Sequence, residues 1–173
     1  LSANTTASNN TGIGHQALVA NTTGAYNTAL GVSALLANTT GGLNVATGSL
    51  CLATNTSGSD NTASGGYAMN LNTTGANNVA MGRSALRANT TASNNTAIGY
   101  EALRYNTTGA ANTAVGHSSA LKNTTGNNNI VVGGFALSEN TTGSSNTAIG
   151  YSALELNTTA SNNTAVGFKS LEA

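Results

Sequence analysis

The chain has 173 residues, five Lys and Arg against five Asp and Glu, and a formal net charge of zero; 6% of its residues are charged, 4% are aromatic, and Pro and Trp are absent. A soluble globule carries about a quarter charged residues, so solubility must rest on Asn, Thr and Ser, and no net field is available to gather nucleic acid or an anionic membrane. No apolar run approaches the ~20 residues of a membrane span, and the single cysteine, Cys51, excludes an intramolecular disulfide.

Self-similarity decides the architecture. Asn-Thr-Thr, or Asn-Thr-Ser, begins at Asn4, Asn21, Asn38, Asn55, Asn72, Asn89, Asn106, Asn123, Asn140 and Asn157, always 17 residues apart. Each unit follows roughly Asn-Thr-Thr-Gly-x-x-Asn-Thr-Ala-Ile-Gly-x-x-Ala-Leu-x-x, and residues 140–156 match it almost literally (NTTGSSNTAIGYSALEL). Residues 1–173 therefore form one repeat array, in which each unit touches only its neighbours. A 17-residue period is too short for a helix pair, and Asn, Thr, Ser and Gly weaken helices. The expectation is an all-β chain: a parallel β-solenoid or β-roll of ten coils, with short strands at Asn-Thr-Ala-Ile and Ser-Ala-Leu. Coils one strand spacing apart make a rod on the order of 50 Å long. The end units are as regular as the middle ones and the chain opens in phase, so a segment of a longer fibre is expected.

Taken along one unit, position 1 is Asn throughout, and so is position 7 (Asn10, Asn27, Asn44, Asn61, Asn78, Asn95, Asn112, Asn129, Asn146, Asn163). Identical amides stacked at strand spacing bond along the axis as ladders, and Asn also tolerates turn conformations. Position 10 (Ile13, Leu30, Thr47, Ser64, Met81, Ile98, Val115, Val132, Ile149, Val166) and position 15 (Leu18, Leu35, Leu52, Met69, Leu86, Leu103, Ala120, Leu137, Leu154, Leu171) are expected to supply the core. Position 11 is Gly in every unit (Gly14, Gly31, Gly48, Gly65, Gly82, Gly99, Gly116, Gly133, Gly150, Gly167), as a corner needing positive φ or close approach demands. Cys51 stands at position 14, where most units have Ala, and reads as a small buried residue. In the seventh unit the Ala120-Leu121 pair falls one place late, a slip the coil must absorb.

Neighbours in a strand face opposite sides, so the apolar pairs at positions 9 and 10, and at 14 and 15, place apolar atoms both inside and outside the coil. An apolar stripe along a rod needs cover, and a homo-oligomer packed through Ala-rich or aliphatic columns on a common axis is expected. Position 12 varies most (His15, Val32, Ser49, Gly66, Arg83, Tyr100, His117, Gly134, Tyr151, Phe168). The one charged, aromatic cluster gathers Arg83, Arg87, Tyr100, Arg104 and Tyr105 near Glu101, and it is the candidate binding patch.

Catalysis needs acid, base or nucleophile within hydrogen-bond reach. His15 and His117 are six units apart, ~29 Å along the axis, and the five carboxylates are scattered, so no enzyme and no cofactor is expected. Asp60 is the only Asp, whereas calcium β-rolls repeat Gly-Gly-x-Gly-x-Asp; no metal is expected, and Glu139 with Glu155 reads as solvated surface. Every Asn-Thr-Thr is formally a glycosylation acceptor, as are Asn9, Asn94 and Asn162, although composition alone generates such sequons.

Segments such as Asn95 to Leu103 (NTAIGYEAL) and Asn146 to Leu154 (NTAIGYSAL) resemble the head repeats of trimeric autotransporter adhesins. More closely, they resemble 17-residue repeat arrays of bacterial and phage tail-fibre-type proteins. The resemblance spans the whole chain. It implies a left-handed, homotrimeric β-roll on a cell surface or virion, used for attachment or as a stalk; adhesin heads, though, repeat nearer 14 residues. The expected function is thus an extracellular structural or adhesive fibre segment. Its partners are further copies of itself and a host receptor or glycan, without nucleic acid and without membrane insertion in this segment. The alternatives are an ice-binding solenoid using ranked Thr, which fills position 2 completely, and a ligand-free filament or sheath subunit.

Overall fold

A computed structural model describes residues 2–171, so the last two residues of the tenth unit lie outside it. One three-residue strand forms in each unit at positions 8 to 10: β1 (Thr11–Ile13), β2 (Thr28–Leu30), β3 (Val45–Thr47), β4 (Thr62–Ser64), β5 (Val79–Met81), β6 (Thr96–Ile98), β7 (Thr113–Val115), β8 (Ile130–Val132), β9 (Thr147–Ile149) and β10 (Thr164–Val166). The ten pair in parallel, in sequence order, with each position opposite its counterpart 17 residues away, as in Thr96↔Thr113, Ala97↔Ala114 and Ile98↔Val115. The chain is a β-solenoid. Ser-Ala-Leu, expected as a second strand, is a turn instead, because its backbone is not extended.

That backbone overturns the expected division into inside and outside. Positions 6, 13 and 15 are left-handed in all ten units, thirty non-glycine residues with φ between 48 and 63°. Each left-handed non-glycine costs roughly 1 kcal/mol or more, and the coil offsets this with bonds along the axis: Leu86 N–H donates to the Ala102 carbonyl at 3.0 Å, Glu101 N–H to Arg83 at 3.0 Å and Asn94 N–H to Ala76 at 3.1 Å. A left-handed residue breaks strand alternation. Positions 14 and 15 consequently both point inward: Ala85 with Leu86, and Ala102 with Leu103, are completely buried. The core is built from positions 9, 14 and 15, Cys51 included. Position 10, expected inside, lies outside, since the residue at position 9 of each strand, Ala in eight of the ten, faces inward and sends both strand neighbours out. Ile13, Leu30, Met81, Ile98, Val132, Ile149 and Val166 are 38 to 65% exposed.

The expected slip at Ala120-Leu121 does not occur. Ala120 takes the buried leucine position, with φ 48° and a bond from its N–H to Ala136 at 2.9 Å, and Ser119 takes the alanine position. Keeping the axial bonds outweighs burying Leu121. The next unit carries Val131, completely buried, at position 9, where the others have Ala or Gly, which restores side-chain volume one coil away.

The asparagine columns are ladders. Asn89 Nδ2 donates to Asn72 Oδ1 at 2.8 Å and to the Ala92 carbonyl at 3.0 Å, while its Oδ1 accepts from Asn106 at 3.2 Å. On the other column, Asn78 donates through its backbone N–H and its Nδ2 to Asn61 Oδ1, at 3.0 and 3.1 Å, and again through Nδ2 to the same Ala92 carbonyl at 3.0 Å. Both ladders thus converge on one carbonyl per coil. Neither column is left-handed; the tolerance expected of Asn is used at position 6, by Asn9, Asn77, Asn94, Asn128 and Asn162. Position-11 glycines have φ of 126 to 140°, and a Cβ on Gly99 would stand 2.4 Å from the Gly116 carbonyl oxygen. Neither conformation nor space admits a side chain.

Asn89→Ala leaves Asn72 Oδ1 without a partner, takes one of two acceptors from Asn106 Nδ2, which keeps the Gly109 carbonyl, and one of two amide donors from the Ala92 carbonyl, which keeps Asn78; with a buried unpaired group at about 1–3 kcal/mol, urea unfolding is expected to show a loss of about 2 kcal/mol or more, against under about 1 kcal/mol for exposed Asn94→Ala. Leu103→Ile conserves volume and ordinarily costs under about 1.5 kcal/mol. Here a β-branched residue would have to be left-handed, and the cost is expected to exceed that of the same change in an extended core strand; equal unfolding midpoints for Leu103→Ile and the unsubstituted chain would contradict this.

Candidate functional site

The coil's own hydrogen bonds engage the invariant Asn and Thr side chains, and this limits which side chains are left to face a ligand. Position-2 threonines are consumed structurally: Thr22 Oγ1 donates to the Thr39 carbonyl at 3.0 Å, and the same oxygen accepts the N–H groups of Thr22, Thr23 and Gly24 at 3.0, 3.1 and 3.2 Å. The position-1 asparagines from Asn21 to Asn140 are completely buried and engaged in their ladder, so their sequons are sealed once the coil forms. Asn94 and Asn162, with Asn4 and Asn9 of the first unit, are exposed.

The variable positions carry what remains. Arg83 at position 12 and Arg87 and Arg104 at position 16 line one depression of about 310 Å³, together with Tyr67, Ser84 and Glu101. Arg104 pairs with Glu101, and among the described residues the other ion pair is Lys122 with Glu139 at 2.6 Å. Glu139 is therefore engaged as well as solvated. Among the described residues Arg83 and Arg87 have no carboxylate partner. The guanidinium of Arg87 lies over the Tyr67 ring, 5.5 Å from its centroid, and that of Arg104 over Tyr105 at 5.0 Å. Both arginines also bury an Nε–H that meets no acceptor. A second depression of about 230 Å³ lies against the same two arginines, lined by Leu71, Ala88 and Tyr105.

Of the five residues expected to form the patch, Arg83, Arg87 and Arg104 share one depression and Tyr105 the adjoining one. Tyr100 lines neither. It stacks on His117 with ring centroids 5.2 Å apart, and the series continues to Phe135 at 4.9 Å, Tyr151 at 5.8 Å and Phe168 at 5.8 Å. This aromatic file along five coils was not anticipated, because it changes column: coil eight has Gly134 at position 12 and supplies Phe135 from position 13 instead. Its sequence signal is the recurrence of one ring per unit at either of two adjacent positions.

Among the described residues no three of His, Cys, Asp and Glu come together, and no helix is long and apolar enough to cross a membrane. No protein-family model, curated protein sequence or solved structure matches the chain. Cys51 lies fully inside, its Sγ directed at the Ala63 carbonyl at 3.3 Å. Burial pushes its pKa from 9.0 to about 12, only partly offset by a backbone hydrogen bond from Thr47.

A thiol whose folded pKa is raised stays neutral while the unfolded chain ionises, so stability is complete below the unfolded value and is lost between about pH 9 and 12. The urea midpoint of the unsubstituted chain is expected to fall more between pH 7.5 and pH 10.5 than that of Cys51→Ala, and parallel pH dependences would refute the assignment.

Proposed function

We propose that this chain is a segment of an extracellular fibre, on a cell surface or virion, that assembles as a homotrimer of left-handed coils and serves reach, rigidity and multivalent attachment. The observation that carries the reading is the exposed face of the ten-stranded sheet. Position 10 presents Ile, Leu, Met and Val in eight of the ten coils, interrupted by Thr47 and Ser64 in the third and fourth and unbroken from Met81 to Val166, beside a file of position-8 threonines. A monomer rarely leaves an apolar stripe six coils long in water, and identical copies repeat it at identical spacing, so two further copies of the chain are its natural cover. The repeat resemblance supplies the trimer and the surface location. Display then falls to the positions that vary without disturbing the ladders, and the arginine-rich depression is the attachment patch that chemistry favours.

A second reading has one observation in its favour. Position-8 threonines stand in register on the open sheet face, as in Thr11↔Thr28, Thr96↔Thr113 and Thr147↔Thr164, and ranked hydroxyls on a flat face suit an ice lattice. Val45, Val79 and Ile130 interrupt the file. Thermal hysteresis separates the two readings.

For the fibre reading, light scattering of the native particle is expected to give about 51 kDa, three times the 17.0 kDa chain. Replacing Ile98 and Val132 by Glu is expected to yield monomers that retain their circular dichroism; a monomeric unsubstituted chain would overturn the trimer.

A further inference from the structure

The arginine-lined depression and the groove beside it share a wall made by Arg87 and Arg104. We propose that together they form a two-part site for an acidic saccharide, with the oxyanion held by Arg83, Arg87 and Arg104 and the apolar face of the sugar ring laid against Tyr105 and Leu71. This deepens the attachment reading and rests on it for its biological use, though not for its chemistry.

Charge comes first. Three of the five Lys and Arg residues of a chain with no net charge lie around one depression, with Glu101 as the only carboxylate in its lining. The local excess is two positive charges. Coulomb repulsion would spread unanchored arginines apart, yet Arg87 is held over Tyr67, and Arg104 is held by both Glu101 and the Tyr105 ring. Their side-chain entropy is thus largely spent before a ligand arrives, which favours binding. The Nε–H groups of Arg87 and Arg104 are buried without an acceptor, out of reach of a ligand, so an oxyanion in the depression would be bound by the terminal Nη groups of these side chains. An oxyanion supplies acceptors of matching geometry, and guanidinium forks bind carboxylate and sulfate through paired, charge-assisted bonds.

The adjoining groove selects what carries the anion. Leu71 and Tyr105 are each nearly half exposed, and they offer an apolar strip and a ring next to the charged wall. A sugar with one C–H-rich face and an acidic substituent meets both parts, whereas inorganic anions meet only the first. Sulfate esters and carboxylates share the chemistry, and the assay separates them.

Titration of the whole chain by calorimetry and by amide chemical shifts, at low salt, would use a sulfated heparin-derived tetrasaccharide, sialyllactose and neutral lactose. Saturable binding of one acidic probe is expected, weakening with added salt, with shifts confined to the coils of Arg83 to Tyr105. Arg87→Gln and Arg83→Gln are each expected to reduce affinity about tenfold or more. Arg83 makes no ion pair, so its variant tests the site without threatening the fold. Equal affinity for lactose, unchanged affinity in both variants, or no saturable binding of either acidic probe overturns the site. Loss of saccharide binding with unchanged attachment of the intact fibre keeps the site and overturns its role in adhesion, while attachment without any saccharide binding overturns the site and leaves the fibre reading standing.

Discussion

Everything in this molecule depends on hydrogen bonds that run along the rod axis from one coil to the next. Strand pairing contributes only three residues per coil; the remainder of the axial bonding comes from turns and from side-chain amides that act as extra backbone. From the second coil onward each position-4 carbonyl accepts from an Asn of its own coil and from an Asn of the coil before, as the Gly75 carbonyl does from Asn72 and Asn61. With both lone pairs engaged, the carbonyl locks two columns at once. An inserted residue would displace one column relative to the other and unpair buried amides in several coils, which gives a physical reason for a period that stays at 17.

The same constraint explains what a reading of the residues alone can and cannot find. Period, asparagine ladders and the position-11 glycine are legible because they are invariant and their chemistry leaves one role. Which apolar column is inside is not, because strand alternation presumes an extended chain, and positions 13 and 15 are left-handed. A signal for this was present. No Val, Ile or Thr occurs at positions 6, 13 or 15 in any unit, though Thr is abundant elsewhere, and β-branched residues are those that left-handed backbone tolerates worst. The Leu at position 15, with its unbranched Cβ, marks a corner where the Ser-Ala-Leu segment suggests a strand.

The two glycine columns make the same distinction. Position 4 accepts Ala in three units, Ala7, Ala92 and Ala160, whereas position 11 accepts no other residue. Both are crowded by the next coil, but only position 11 adds positive φ, and crowding alone can be relieved. In the coil of Ala92, the Thr107 carbonyl accepts the amide and hydroxyl of Thr90, where Thr39 accepts three amides and a hydroxyl. A local loss of axial bonding is tolerable; a wrong corner is not.

A rod of identical coils offers no special place, so recognition has to come from deviation, and one deviant coil is too thin to hold a ligand. At a strand spacing near 4.8 Å, a saccharide residue spans about two coils, and a site therefore needs neighbouring units that deviate on the same side. Tyr67, Arg83, Arg87, Glu101, Arg104 and Tyr105 meet this condition across the fourth, fifth and sixth units; the aromatic file from Tyr100 to Phe168 meets it over the sixth to tenth. In the file, however, the rings are spent largely on each other, with Tyr100 against His117 and Tyr151 against Phe168 nearly parallel, so their faces are turned along the axis and not outward. The arginines have no such mutual attraction to satisfy. Glu101 neutralises Arg104, whereas Arg83 and Arg87 have no carboxylate partner among the described residues, and that unspent charge is what distinguishes a surface able to bind from one that only completes the rod.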